Sequence, residues 1–235
     1  MKAIILDFDG VISDTEPVIF SVWSEYFQEK YEITINEKLW NDRLKGISSV
    51  DKADVIYEEF GVLISEEERA ILFKKCVETM KIPGKIKLTA GVVDLLKEFS
   101  SCAIAIATGA RLSGTLDKVK VLGIEEYFPE DRIFTIDDVE RGKPYPDLFL
   151  YAADKMGVNP KDCIVVEDGI PGLKAAVAAG MVPIAYYEYC NGDTSSFIWD
   201  ADGLKVRHIC GDMRQVSVVI SSEIWFDLVP KCILD

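Results

Sequence analysis

Three aliphatic residues, Ile4-Ile5-Leu6, run directly into Asp7-Phe8-Asp9-Gly10, and this stretch constrains the fold more than any other. A short apolar run bounded by turn residues reads as a buried strand, with Gly10 marking the turn. Side chains at i and i+2 of a strand point to one face, so Asp7 and Asp9 leave the sheet edge together. Two adjacent carboxylates repel each other unless positive charge stands near them. A metal ion, a phosphorylated ligand with its cation, or a lysine would supply that charge.

The rest of the chain repeats the pattern of a strand that ends in polar residues. Cys102–Ala107 is a near-continuous apolar run, as expected for a parallel strand covered on both faces, and it ends in Thr108-Gly109. A short strand is expected at Arg132–Thr135, another at Cys163–Val166 before Glu167-Asp168-Gly169, and a fifth at Val182–Ala185. Helices are expected between them: Val92–Phe99, Leu112–Leu122, Tyr145–Met156 after Gly142-Lys143-Pro144, and the Ala-rich segment up to Ala179. Strands alternating with helices imply βαβ units and an α/β fold with a doubly wound parallel sheet.

Residues 16–84 break this rhythm. Glu16–Lys30 carries Ile19, Phe20, Trp23, Tyr26 and Phe27 at helical spacing, a buried stripe, behind an Asp14-Thr15 cap. Asn36–Lys45, Ser48–Phe60 and Glu66–Lys81 also read as helix, the last behind Ser65 with acids in its first turn. The expected division is a catalytic core of residues 1–14 and 88–235 and an inserted all-helical domain of 15–87. Near the C-terminus, Val206–Ile209 suggests an edge strand and Ser221–Val229 a closing helix with Ile224, Trp225 and Leu228 on one face. Tyr186–Tyr189 and Asn191–Ser196 are expected to rim the site.

A net charge of −14 argues against a nucleic-acid binder working through a basic face. No apolar run approaches the roughly 18 residues of a membrane span. The chain starts Met-Lys and enters a strand without the pattern of a secretory leader. The six cysteines include no C-x-x-C pair, so zinc and redox motifs are not expected, and Cys102 and Cys163 read as buried thiols. A reduced, cytoplasmic setting is expected. The one histidine, His208, lies in a strand-like run and reads as structural, which leaves proton transfer to carboxylates.

Ligands of open α/β sheets bind beyond the carboxyl ends of the strands. Asp7, Asp9, Thr108, Lys143, Glu167 and Asp168 are all delivered to that edge. Magnesium takes one or two carboxylates with waters and phosphate oxygens, which Asp7 and Asp168 satisfy. A lysine among acids is expected where a further anion is held. The Thr108 hydroxyl and the amides of Gly109 and Ala110 add neutral donors, although Thr108 also suits a helix cap. By its chemistry this is a phosphate site around an aspartate nucleophile.

The chain resembles the haloacid dehalogenase superfamily of phosphotransferases, in the branch with a helical cap that includes β-phosphoglucomutase-like and phosphoglycolate phosphatase-like proteins. The resemblance rests on Asp7-Phe8-Asp9-Gly10-Val11, Thr108-Gly109, Lys143 in Gly142–Asp147, and Glu167-Asp168-Gly169, in that order over roughly residues 1–210. It implies that Asp7 attacks phosphorus to form an aspartyl-phosphate. Asp9 protonates the leaving oxygen and then deprotonates the incoming water or hydroxyl. Thr108, Gly109 and Lys143 hold the phosphoryl oxygens. It also implies a Mg2+ ion bound by the Asp7 side chain, the Asp9 backbone carbonyl and Asp168, with Glu167 a direct ligand or just behind one.

In this family the cap selects the substrate. Asn41–Ser48 resembles the specificity segment of the mutase-like branch, making Lys45 and the Gly46 amide candidate substrate contacts, with Lys75 a weaker one. Those mutases carry a histidine where Ile19 stands and an arginine where Ser49 stands. The expectation is therefore a phosphatase for a small phosphorylated metabolite, such as a sugar phosphate or a phosphoglycolate-like compound, with a hexose-phosphate mutase as the alternative. The protein is expected to be a monomer or weak homodimer with no nucleic-acid or membrane partner. A receiver-like phosphoacceptor fits poorly, because no aspartate directly follows the second or third strand and the helical insertion has no role there.

Overall fold

The computed structural model describes residues 2–187 and 206–226. It is organised around a parallel sheet whose central strand is β1 (Ala3–Leu6). On one side of β1 lie β4 (Ala103–Ala107) and β5 (Ile133–Phe134). On the other lie β6 (Cys163–Glu167), β7 (Val182–Tyr186) and β8 (His208–Cys210), giving the order β5-β4-β1-β6-β7-β8. Leu6 aligns with Ile106 on one neighbour and Val166 on the other. Strand order reverses at β1, the switch point at which such sheets bind ligands.

Both faces of the sheet are covered, which is why its strands read as unbroken apolar runs. Ile4, Leu6, Ile106, Ile164, Val166 and Ile184 point to one face. There they meet α5 (Val92–Glu98), α6 (Leu112–Leu122) and α9 (Met213–Phe226) through Leu95, Val119 and Val216. Ala3, Ile5, Ala105, Ala107 and Val165 point the other way, onto α7 (Asp147–Met156) and α8 (Ile170–Ala178). Alanines at 152, 153, 175 and 176 line this second interface, so helix backbone packs close to the sheet. Each fully buried Ile or Leu side chain contributes about 1.5–3 kcal/mol.

The described chain separates into two compact units, one of residues up to Ser13 and from Leu88 onward, the other Asp14–Lys87. Short strands β2 (Ser13–Asp14) and β3 (Lys87–Leu88) pair where the chain passes between them. The second unit is all helical inside those strands: α1 (Glu16–Tyr31), α2 (Glu37–Leu39) continuing into a π-turn at Trp40–Leu44, α3 (Ser49–Phe60) and α4 (Glu66–Met80). Ser65 and Glu68 form a capping box on α4, and Glu68 also accepts from Tyr26, Tyr31 and Lys30 of α1. These bonds tie the two longest helices of the unit together.

The structure corrects several expectations. The buried stripe of α1 includes Val18 and Val22, while Ile19 and Phe20 are half-buried and Phe20 packs on Trp40. Asp14 accepts the Glu16 amide at 3.2 Å, whereas Thr15 makes no side-chain cap. Helix α7 starts at Asp147 rather than Tyr145, because Gly142–Tyr145 closes a turn of its own with a 3.0 Å bond. Helix α9 starts at Met213, well before Ser221, since Asp212 accepts the Gln215 amide at 2.9 Å and caps it. Cys102 is half-buried, unlike Cys163. Glu188, Tyr189, Asn191–Ser196, Leu228 and the Trp225 side chain lie outside the described residues. No described helix is long and apolar enough to cross a membrane.

Candidate active site

Asp7 follows directly after β1, and its amide donates to the Val166 carbonyl at 2.9 Å, so the ladder to β6 continues into the site. Beside it, Glu167 ends β6 and Asp168 follows. Carboxylate oxygens of Asp7, Glu167 and Asp168 lie within 4.8 Å of one another. Lys143, from the connection between β5 and α7, reaches into this group. Its Nζ is 2.5 Å from Asp7 Oδ1 and 3.0 Å from Glu167 Oε2.

Asp7 and Glu167 share one ammonium in a buried place, with the Asp168 carboxylate beside them. Burial raises the pKa of Asp7 against the pull of Lys143. Burial and the charge of Asp7 raise Glu167 well above its ordinary value and push Asp168 up to about 8. Burial opposes the charge of Lys143, but Asp7 and Glu167 outweigh it and keep the amine protonated. The site is short of positive charge. Its all-oxygen donor set fits a hard divalent cation such as Mg2+.

Two glycines make room for the acids. Gly10 has a φ of +93°, and a Cβ there would fall 1.8 Å from Asp168 Oδ2. A Cβ on Gly172, in the first turn of α8, would fall 2.0 Å from Glu167 Oε1. Gly10 reads from sequence as a turn; the closeness of both glycines to the carboxylates is a tertiary fact.

Thr108 is buried directly after β4, its amide bonded to the Phe134 carbonyl at 3.0 Å. Its Oγ1 accepts the Ala110 amide at 3.2 Å, so that amide already has a partner. Thr108 does not cap α6; Asp137 Oδ2 does, accepting the Leu112 amide at 2.9 Å. Gly109 has open space where a Cβ would sit.

Asp9 is engaged elsewhere. Both of its carboxylate oxygens lie 2.7 Å from Nζ of Lys118 on α6. Sequence reasoning missed Lys118. The available signal was a lysine in the buried stripe of α6, between Thr115 and Val119. The Asp9 side chain is not part of the three-acid group.

Lys45 and Gly46 belong to the helical unit. The Lys45 amide closes the π-turn on Trp40 O at 2.8 Å, and the Gly46 amide donates to Glu16 Oε1 at 3.0 Å. The Gly46 amide thus has an internal acceptor within the helical unit. Lys75 stacks on the Tyr26 ring, 5.6 Å from its centroid. His208 pairs with Glu223 at 2.9 Å across β8 and α9.

Comparison with known proteins accords with this geometry. A family profile described as haloacid dehalogenase-like hydrolase matches residues 1–180. The chain is 27% identical to a 6-phosphogluconate phosphatase of Escherichia coli, covering 77% of this chain and 80% of the relative. It is 30% identical to a beta-phosphoglucomutase of Bacillus subtilis, covering 78% and 82%. A haloacid dehalogenase-like protein of unknown function from Agrobacterium tumefaciens superposes with a TM-score of 0.81 at 23% identity, over 95% of this chain and 99% of that one.

Proposed function

The chain belongs to the haloacid dehalogenase-like hydrolases, and from that premise we propose that it is a magnesium-dependent phosphatase of a small phosphorylated metabolite. The observation that carries this reading is the convergence of Asp7, Glu167 and Asp168 at the switch point of the sheet, with Lys143 on the first two. The sugar-phosphate class is supported by the names of the relatives, and a phosphoglycolate-like compound fits the same site. Thiols at Cys76, Cys163 and Cys210, unpaired and each pushed up to about 11 by burial, suit a reducing cytoplasm.

In this reading an Asp7 oxygen attacks phosphorus as the bond to the leaving oxygen breaks, giving an aspartyl-phosphate. Asp9 gives its proton to the leaving oxygen. Water then attacks the phosphorus, Asp9 takes a proton back, and Asp7 is released. Lys143 and Thr108, with the Gly109 amide, hold the phosphoryl oxygens through both halves. The side chains of Asp7, Asp168 and Glu167 and the Asp9 carbonyl would hold Mg2+, which would supply charge neutralisation for the approach of an anion to three acids.

The second reading is a hexose-phosphate mutase, favoured by the beta-phosphoglucomutase relative. Ile19 and Ser49 favour the phosphatase, since neither offers charge for a second phosphate. The deciding experiment follows free phosphate and isomerised product separately across a panel of phosphorylated metabolites, with and without Mg2+. Phosphate release only with Mg2+ supports the phosphatase. Isomer without phosphate release moves the assignment to mutase. No turnover of any compound removes the enzyme reading.

A further inference from the structure

Each aspartate of the first strand end has a lysine of its own, and the mechanism above uses only one of them. Lys118 is buried, its side chain 8% exposed, while that of Asp9 is 38% exposed. The ammonium contacts both oxygens of Asp9 at 2.7 Å and lies 4.4 Å from the centroid of the Phe8 ring. Helix α6 sets the position of the lysine. The turn after β1, closed by the Gly10 amide on Ser13 O at 2.8 Å, sets the position of Asp9. An element that contributes no other group to the reaction therefore reaches into it to grip one carboxylate.

We propose that Lys118 is the positioning residue for Asp9, aiming its carboxyl at the oxygen that leaves in the first half-reaction and at the water that enters in the second. This rests on the phosphatase reading. Proton transfer between oxygens requires heavy-atom separations near 3 Å, and an error of about 1 Å can cost about 100-fold in rate. A lysine suits the task because its three donors rotate. It can follow a carboxyl whose oxygens exchange roles as one gives up a proton and later regains it. Lys118 does not serve as a phosphate ligand, because its ammonium is taken up by Asp9 and packed on Phe8.

The test compares wild-type enzyme with Lys118→Met and Lys118→Arg on two phosphomonoesters. One is p-nitrophenyl phosphate, whose leaving group departs without a proton. The other is the alkyl phosphate turned over fastest in the metabolite panel. Lys118→Met should lower kcat on the alkyl phosphate by about 10–100-fold, with KM within about threefold. On the aryl phosphate the initial burst of nitrophenolate should keep its wild-type rate while later turnovers slow. Lys118→Arg should recover part of kcat. In an Asp9→Asn background, Lys118→Met should cost less than about twofold, because both changes remove one function. A nitrophenolate burst slowed as much as the turnover of the alkyl phosphate, a loss carried by KM, or full additivity with Asp9→Asn would overturn the proposal. So would unchanged kcat on the alkyl phosphate. Should Lys118→Met not fold, Lys118→Gln takes its place with the same expectations. If wild-type enzyme turns over neither ester, the phosphatase reading itself falls, a result distinct from failure of the Lys118 variants alone.

Discussion

A Cβ on Gly10 would lie 1.8 Å from Oδ2 of Asp168, so the turn after the first strand is shaped around the acid at the end of another. With φ at +93°, an alanine there is strained and also displaces Asp168. Gly10→Ala is expected to cost about 1–3 kcal/mol in urea unfolding. It should also weaken Mg2+ binding or activity by about 10–100-fold. Wild-type values for both would mean that Asp168 can move without consequence.

Asp7 has the only role in the proposed reaction that no neighbour can replace. Asp7→Asn should lower turnover at least about 10,000-fold while far-ultraviolet circular dichroism stays as in the wild type. Normal activity in this variant would remove Asp7 as the nucleophile.

Lys143 neutralises two buried carboxylates, with side-chain exposures of 9% and 5%. Removing one member of a buried ion pair leaves the others uncompensated, at a cost of about 3–5 kcal/mol. Lys143→Met should lower the urea midpoint accordingly in metal-free buffer, and Mg2+ should restore part of the loss. A midpoint unchanged without metal would show that the acids are neutral without the lysine.

The raised pKa of Asp168 makes a statement about stability and pH. Its folded value of about 8 lies above the ordinary 3.8, so the folded state holds a proton that the unfolded chain releases. The stability this contributes is complete below about pH 4 and is lost as pH rises toward about 8, at up to about 1.4 kcal/mol per pH unit. The thermal midpoint of the metal-free protein should fall across that range, and Asp168→Asn should flatten the fall. The midpoint gained on adding Mg2+ should be larger at pH 8 than at pH 6. A gain independent of pH would separate the cation from these acids.

Much of this molecule is legible in local sequence. Ile4-Ile5-Leu6 and Cys163–Val166 announce two-faced burial because a strand covered on both sides has no polar face to display. The acids at 7, 9, 167 and 168 announce an edge because charge cannot remain within such a run. The helical insertion is legible from the spacing of Trp23, Tyr26 and Phe27 and from Ser65 with the acids that follow it. The start of α9 was less legible, since Asp212 is a cap only once the chain around it is placed.

The kind of sheet, the strand ends that carry chemistry, and the family are all written locally, because periodicity, caps and strand-end polarity are properties of neighbours along the chain. Tertiary structure alone decided which lysine serves which aspartate. Lys143 reaches Asp7 across 136 positions and Lys118 reaches Asp9 across 109, distances over which no local pattern operates. The same holds for Gly10 and Gly172, which are ordinary turn and helix residues until two carboxylates occupy the space their missing side chains leave. Buried charge is compensated by whatever the fold brings within reach, and that choice is made only when the sheet closes and its helices dock.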